Sequence, residues 1–136
     1  GSCVSTVEEF IKFLEALRIG DVILKKETIA MMATDYLTDQ QRAMYTYSTP
    51  NIGYGLGMRA PRKDAIHREF GWGGAAGAYA SVDPELNISF YYSQHVITSP
   101  NRPLRRWLYE TIRADLLGEK VDVPITMIDA HPELTY

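Results

Sequence analysis

The chain has one cysteine, Cys3, among 136 residues. It therefore excludes an internal disulfide framework and any cysteine-rich metal centre. A lone cysteine fits a reducing compartment, but exported bacterial proteins without disulfides fit as well, so localisation stays open between cytoplasm and export. No apolar run reaches the roughly 20 residues that cross a membrane, and no signal-peptide pattern is present. A soluble chain without a membrane segment is expected. Basic charge is also scarce: 14 Lys and Arg stand against 17 Asp and Glu, a net charge of -3. That balance offers no basic face for nucleic acid. The short cluster Arg102, Arg105 and Arg106 reads as a solvated helix face. His67, His95 and His131 are scattered, with no carboxylates at ligand spacing, which argues against a zinc site or any other metal. Internal repeats and low-complexity segments are absent.

What is present is a globular composition, with 46% hydrophobic and 23% charged residues. The length suits one domain or one segment of a larger domain, able to bury about two thirds of its unfolded surface. Ser5-Thr6-Val7-Glu8 has the form of a capping box with Ser5 as the N-cap. Val7, Phe10, Ile11, Leu14 and Leu17 follow at helical spacing and Gly20 supplies the stop. A second helix is expected from Lys26 to Thr34, with Ile29, Met32 and Ala33 inward. Residues 35–52 read as irregular and polar, punctuated by Pro50. Tyr54-Gly55-Leu56-Gly57-Met58 reads as one strand, with Arg62-Lys63-Asp64 as the exposed turn after it. A hairpin is expected from strands Ala78–Val82 and Ile88–Tyr92, ending near Gln94. A final helix, Arg102 to Leu117, carries Leu104, Trp107, Leu108, Ile112 and Leu116 on one stripe. The remainder, 118–136, reads as an irregular tail. The predicted class is α+β, with an antiparallel sheet of about three strands flanked by helices. So small a sheet leaves two edges needing cover, which suggests that strands belonging to it lie elsewhere.

The densest signal is Phe70-Gly71-Trp72-Gly73-Gly74-Ala75-Ala76-Gly77, four glycines in eight residues leading into the hairpin. Bare backbone along a strand lets a ligand or another chain come close. The plainer reading is a bulge or bend that needs only small residues.

Together with Val4-Ser5-Thr6-Val7-Glu8-Glu9-Phe10, Lys26-Glu27-Thr28-Ile29-Ala30-Met31-Met32, Gly53-Tyr54-Gly55-Leu56-Gly57 and Val82-Asp83-Pro84, this run resembles the C-terminal part of the serine β-lactamase and penicillin-binding-protein-like hydrolases. Within them it is most similar to the class C β-lactamase and family VIII carboxylesterase branch. The family uses a Ser-x-x-Lys nucleophile, a Tyr- or Ser-x-Asn motif and a Lys-Thr-Gly-like triplet on a sheet-edge strand. Trp72-Gly73-Gly74 matches the triplet as the esterase-like branch writes it. The resemblance implies that Trp72, Gly73, Gly74 and Ala75 form a substrate wall, with the Ala75 backbone N–H as an oxyanion donor. It also implies acyl transfer to serine without a metal or organic cofactor, on a small ester or amide substrate.

The departures carry as much weight. No serine is followed by lysine three positions on, and no Tyr-x-Asn occurs. Ser99-Pro100-Asn101 comes after the hairpin and reads as a helix N-terminal turn. No catalytic side chain is therefore expected in this chain. It reads as a single C-terminal segment, 1–136, inactive alone and partnered by a missing N-terminal part of the same protein. Its Gly-Ser start is then a tag scar, a processed end or a cut. His67, three residues before the glycine-rich run, is the one further candidate for the cleft rim, although a surface histidine at a strand end is commoner. Ser81, Ser89 and Ser93 lie outside any Gly-x-Ser-x-Gly elbow and read as strand-face serines. Glu8 and Glu9 read as first-turn carboxylates. Tyr91 and Tyr92 place one ring on each strand face. The alternative to the hydrolase segment is a non-catalytic module that associates with a second copy through an open sheet edge.

Overall fold

A computed structural model describes residues 4–45, 51–97 and 102–120, apart from the side chains of 102–106. The elements run α1 (Val7–Ile19), α2 (Lys26–Met32), α3 (Asp39–Met44), β1 (Ile52–Tyr54), β2 (Arg59–Pro61), β3 (Phe70–Gly73), β4 (Gly77–Asp83), β5 (Ile88–His95) and α4 (Arg102–Leu117). The five strands form one sheet in the order β1-β2-β3-β4-β5, with antiparallel pairing from β1 through β4. The class is α+β, as expected, but the sheet has five strands where about three were expected. Two short strands account for the difference. The segment 54–58 is a hairpin turn between β1 and β2, closed by the Gly55 N–H on the Met58 carbonyl at 2.8 Å. Phe70–Gly73 is a strand in its own right, paired with β4 along Phe70↔Val82, Gly71↔Ser81, Trp72↔Ala80 and Gly73↔Tyr79.

The chain divides into two compact units, one of Gly1–Gly73 with Tyr79–Tyr91, the other of Gly74–Ala78 with Tyr92–Tyr136. In the first, α1 and α2 lay their apolar stripes on the sheet. Leu14, Leu17, Ile29, Phe70 and Val82 are buried together, with Phe10, Ala33 and Tyr91 packed against them. Full burial of each large side chain contributes about 1.5–3 kcal/mol. Phe10 and Tyr91 meet at 5.1 Å between ring centroids, so Tyr91 is the core-facing member of its pair. Val7, expected inward, is exposed.

The cap of α1 lies one residue later than expected. Thr6, in extended backbone, accepts the Glu9 N–H on its hydroxyl at 3.2 Å, while the Ser5 hydroxyl turns to the Thr6 carbonyl. Adjacent Ser and Thr can both cap, and the helix begins where the apolar stripe meets the sheet. α2 ends at Met32, two residues before the expected Thr34. Residues 39–44, expected to be irregular, form α3. Its capping box pairs the Thr38 hydroxyl with the Gln41 N–H, and the Gln41 side chain with the Thr38 N–H.

Asp35, within the α2–α3 connection, ties that connection to β1. Its carboxylate accepts the Leu37 N–H at 3.1 Å, the Tyr54 N–H at 3.0 Å and Arg42 Nη2 at 2.8 Å. Burial pushes the group up, but the Tyr54 N–H, Arg42 and Leu37 outweigh it and hold it below the usual carboxylate range.

In the second unit, the buried residues of α4 are Tyr109 and Ala114. Leu108, Ile112 and Leu116 of the expected stripe are 38%, 40% and 58% exposed, so much of that stripe faces outward. The turn Gly74–Ala78 closes with the Gly74 N–H on the Ala78 carbonyl at 2.7 Å. Gly77 follows at φ +94 with the Gln94 side chain against it, a position closed to other residues. The Ser99-Pro100-Asn101 turn, Pro50, Cys3, His131, the side chains of Arg102, Arg105 and Arg106, and tail residues 121–136 lie outside the described residues.

Candidate functional site

β3 carries the triplet, and the sheet gives it two different edges. Toward β4 the pairing runs the full length of the strand. Toward β2 the register is the single pair Arg59↔Gly71. β3 is therefore the third of five strands and not an outer one, a correction to the expected sheet-edge position. Its residues Trp72 and Gly73 extend past the start of β2.

The glycines of the run have different reasons to be glycine. At Gly71 a Cβ would lie 2.0 Å from the Ala80 carbonyl oxygen, so close approach of β4 forbids any side chain. At Gly74 the nearest atoms to a Cβ are 3.8 Å away. No internal contact demands glycine there; the open space is on the outside. Gly74 and Ala75 are both exposed. Among the described residues no carbonyl takes the Ala75 N–H, which fits the donor role that the family resemblance implies.

Trp72 is 43% exposed and held in a defined setting. The Arg59 guanidinium carbon stands 5.3 Å from its ring centroid, a cation–π distance. Tyr54 meets it edge-on at 5.9 Å and 81°, and Tyr45 meets Tyr54 at 5.4 Å. Beneath Trp72 an almost wholly apolar cavity of about 210 Å³ opens between α1 and β3, with Phe10, Phe13, Leu24 and Met58 among its walls. His67 is not among them. It lies half-buried in the irregular stretch before β3, with Nδ1 shielded from water. Trp72 and Gly73 end β3, whereas Gly74 and Ala75 belong to the turn that follows it.

Arg59 and Tyr54 escaped sequence reading because their position depends on the β1–β2 hairpin. Tyr54↔Arg59 is a cross-strand pair, invisible while 54–58 is taken as one strand. Tyr79 is a further neighbour. Burial raises its phenol well above the ordinary value; Glu69 adds to this by charge and hydrogen bond, while Arg59 and the Ser81 hydroxyl oppose it. Tyr79 is accordingly a neutral hydroxyl and no base at ordinary pH. His95 ends β5 and is exposed. Among the described residues no group of three His, Cys, Asp or Glu could hold a metal ion, and no helix is long and apolar enough to cross a membrane.

No family model matches the chain. It is 29% identical to the proteins named "Uncharacterized protein MT1414" of Mycobacterium tuberculosis strain CDC 1551 / Oshkosh and "Protein Rv1367c" of Mycobacterium tuberculosis strain ATCC 25618 / H37Rv. Each match covers 70% of this chain and 28% of the relative. The chain spans little more than a quarter of the length of these curated relatives.

Proposed function

We propose that this chain is the C-terminal segment of a serine hydrolase resembling β-lactamases, penicillin-binding proteins and esterases, and that it supplies the substrate wall of the active site. The observation that carries the reading is the run Trp72–Ala75, where Gly74 has no internal reason to lack a side chain. Two further facts support it. The chain matches only 28% of much longer relatives, and α4 and the rim of the apolar cavity leave Leu116, Ile112, Phe13 and Ile23 exposed. Large exposed apolar residues in such numbers fit surfaces that another part of the same protein covers.

In this reading a serine of the preceding part, activated by its lysine, attacks the substrate carbonyl. The carbonyl oxygen becomes an oxyanion and accepts the Ala75 N–H. The intermediate collapses by expelling the alcohol, and water then hydrolyses the acyl-serine, releasing the acid and restoring the hydroxyl. A single oxyanion donor stabilises the transition state by about 3 kcal/mol. The small residues at 73 and 74 let the acyl group lie along β3. Trp72, where the triplet of many relatives in the family has lysine, removes a mobile cation suited to a substrate carboxylate. Arg59 does not replace it as a free charge, since it lies on the indole and shares Tyr79 with Glu69. Neutral esters are therefore favoured over carboxylate-bearing β-lactams.

A fluorophosphonate probe tests the assignment. The isolated chain should remain unlabelled, and a longer polypeptide in which a Ser-x-x-Lys segment precedes it should be labelled at that serine. Labelling of the isolated chain, or failure of the longer polypeptide to label, would overturn it.

A further inference from the structure

A second, polar cavity of about 450 Å³ lies between the end of α2 with its following connection and the loop after β2. Four cationic side chains line it, Arg42, Arg62, Lys63 and Arg68, against two carboxylates, Asp35 and Asp64. The chain as a whole carries a net charge of -3, so this local excess of positive charge does not follow from composition. Asp35 is already saturated by two backbone N–H groups and Arg42 Nη2. Arg42 gives Nη2 also to the Leu37 carbonyl at 2.9 Å. Its Nε and Nη1 are shielded from water and have no acceptor among the described residues. The cations lining the cavity outnumber its carboxylates by two, so an anion entering it meets positive charge not balanced within the cavity.

Of the other cations, Arg68 is tied to backbone. Arg68 Nη1 rests on the Arg62 carbonyl at 3.2 Å, and its Nε only approaches Glu85, at 3.5 Å. The Arg62 N–H is held by the Asn51 carbonyl at 3.0 Å, and the turn closes with Ala65 N–H on the Arg62 carbonyl. Arg42 stands on α3, whose first turn is locked by its capping box. A polar cavity of this size suits a small ligand with room for an organic portion beyond its charged group.

We propose that this cavity binds the phosphate or carboxylate group of a small molecule, held by the Arg42, Arg62, Lys63 and Arg68 side chains that line it. Guanidinium groups present parallel N–H donors that match either oxyanion. The proposal is independent of the hydrolase reading and concerns a different part of the first unit.

The test is titration of the isotopically labelled chain with inorganic phosphate and, separately, with citrate, at constant ionic strength, followed by amide chemical shifts. Saturable shifts confined to residues 33–42 and 61–68, with Kd below about 1 mM for at least one anion, are expected. Comparing the two titrations tells a phosphate site from a carboxylate site. The double variant Arg62→Gln/Lys63→Gln alters exposed or half-exposed turn residues and should weaken binding about tenfold. The charge-matched control Lys12→Gln/Lys25→Gln should leave it unchanged. Absence of saturable shifts with both anions up to about 10 mM, shifts scattered over the surface, or equal weakening in the control would overturn the proposal.

Discussion

At the scale of single residues, the glycine-rich run separates into positions the fold requires and a position it does not. A methyl at Gly71 would collide with the Ala80 carbonyl oxygen across the β3–β4 ladder, so Gly71→Ala should cost at least about 2 kcal/mol in chemical denaturation. Gly74→Ala meets open space and should change stability by less than about 0.5 kcal/mol. The composition of the run was legible in the sequence, but its division was not, because it depends on which atom lies across the neighbouring strand. Ionisable residues give a second prediction. Hydrogen bonding to Arg18, at 2.9 and 2.6 Å, is the main cause that lowers Glu15 from 4.5 to about 2. A carboxylate depressed by folding contributes stability above its ordinary value, and that contribution disappears as pH falls from about 4.5 through about 2. Glu15→Gln should accordingly flatten the acid limb of the stability profile in that window, read by thermal unfolding against pH. Asp35→Ala should be costlier at neutral pH, about 3 kcal/mol, because Arg42 would lose the carboxylate it pairs with at 2.8 Å.

Elements with a long apolar repeat were readable in advance, and short ones were not. α1, α2 and the β4–β5 hairpin follow from periodicity because each spans enough residues to display it. β2 has three residues and β3 has four, too few for alternation to show, and the glycines of β3 hide it further. α3 has no buried residue, so only Thr38 and Gln41, spaced as a capping box, announced it. α4 misled in the opposite direction, since an apolar stripe marks a face that must be covered without saying by what. The one-residue shift of the α1 cap makes a clean comparison: Thr6→Ala should destabilise by about 1 kcal/mol and Ser5→Ala by much less, as measured by urea unfolding. The reverse order would return the cap to Ser5.

For the whole molecule, the α+β class was legible from element order, while the candidate site was legible only as a sequence string. Its setting depends on long-range pairings, such as Tyr54↔Arg59 and Arg59↔Gly71, that bring Tyr54 and Arg59 to Trp72. The proposal of a segment within a longer hydrolase takes its support from the exposed apolar residues of α4 and of the cavity rim and from the small share of the longer relatives that the chain matches. Trp72–Ala75 would then face a reacting group supplied from outside the chain. The decisive measurement is ester hydrolysis by the longer polypeptide carrying Gly74→Val, with its folding verified by thermal unfolding. A substrate wall at Gly74 predicts a loss of about hundredfold or more in kcat/KM at unchanged stability. Unchanged kcat/KM in that variant would contradict it.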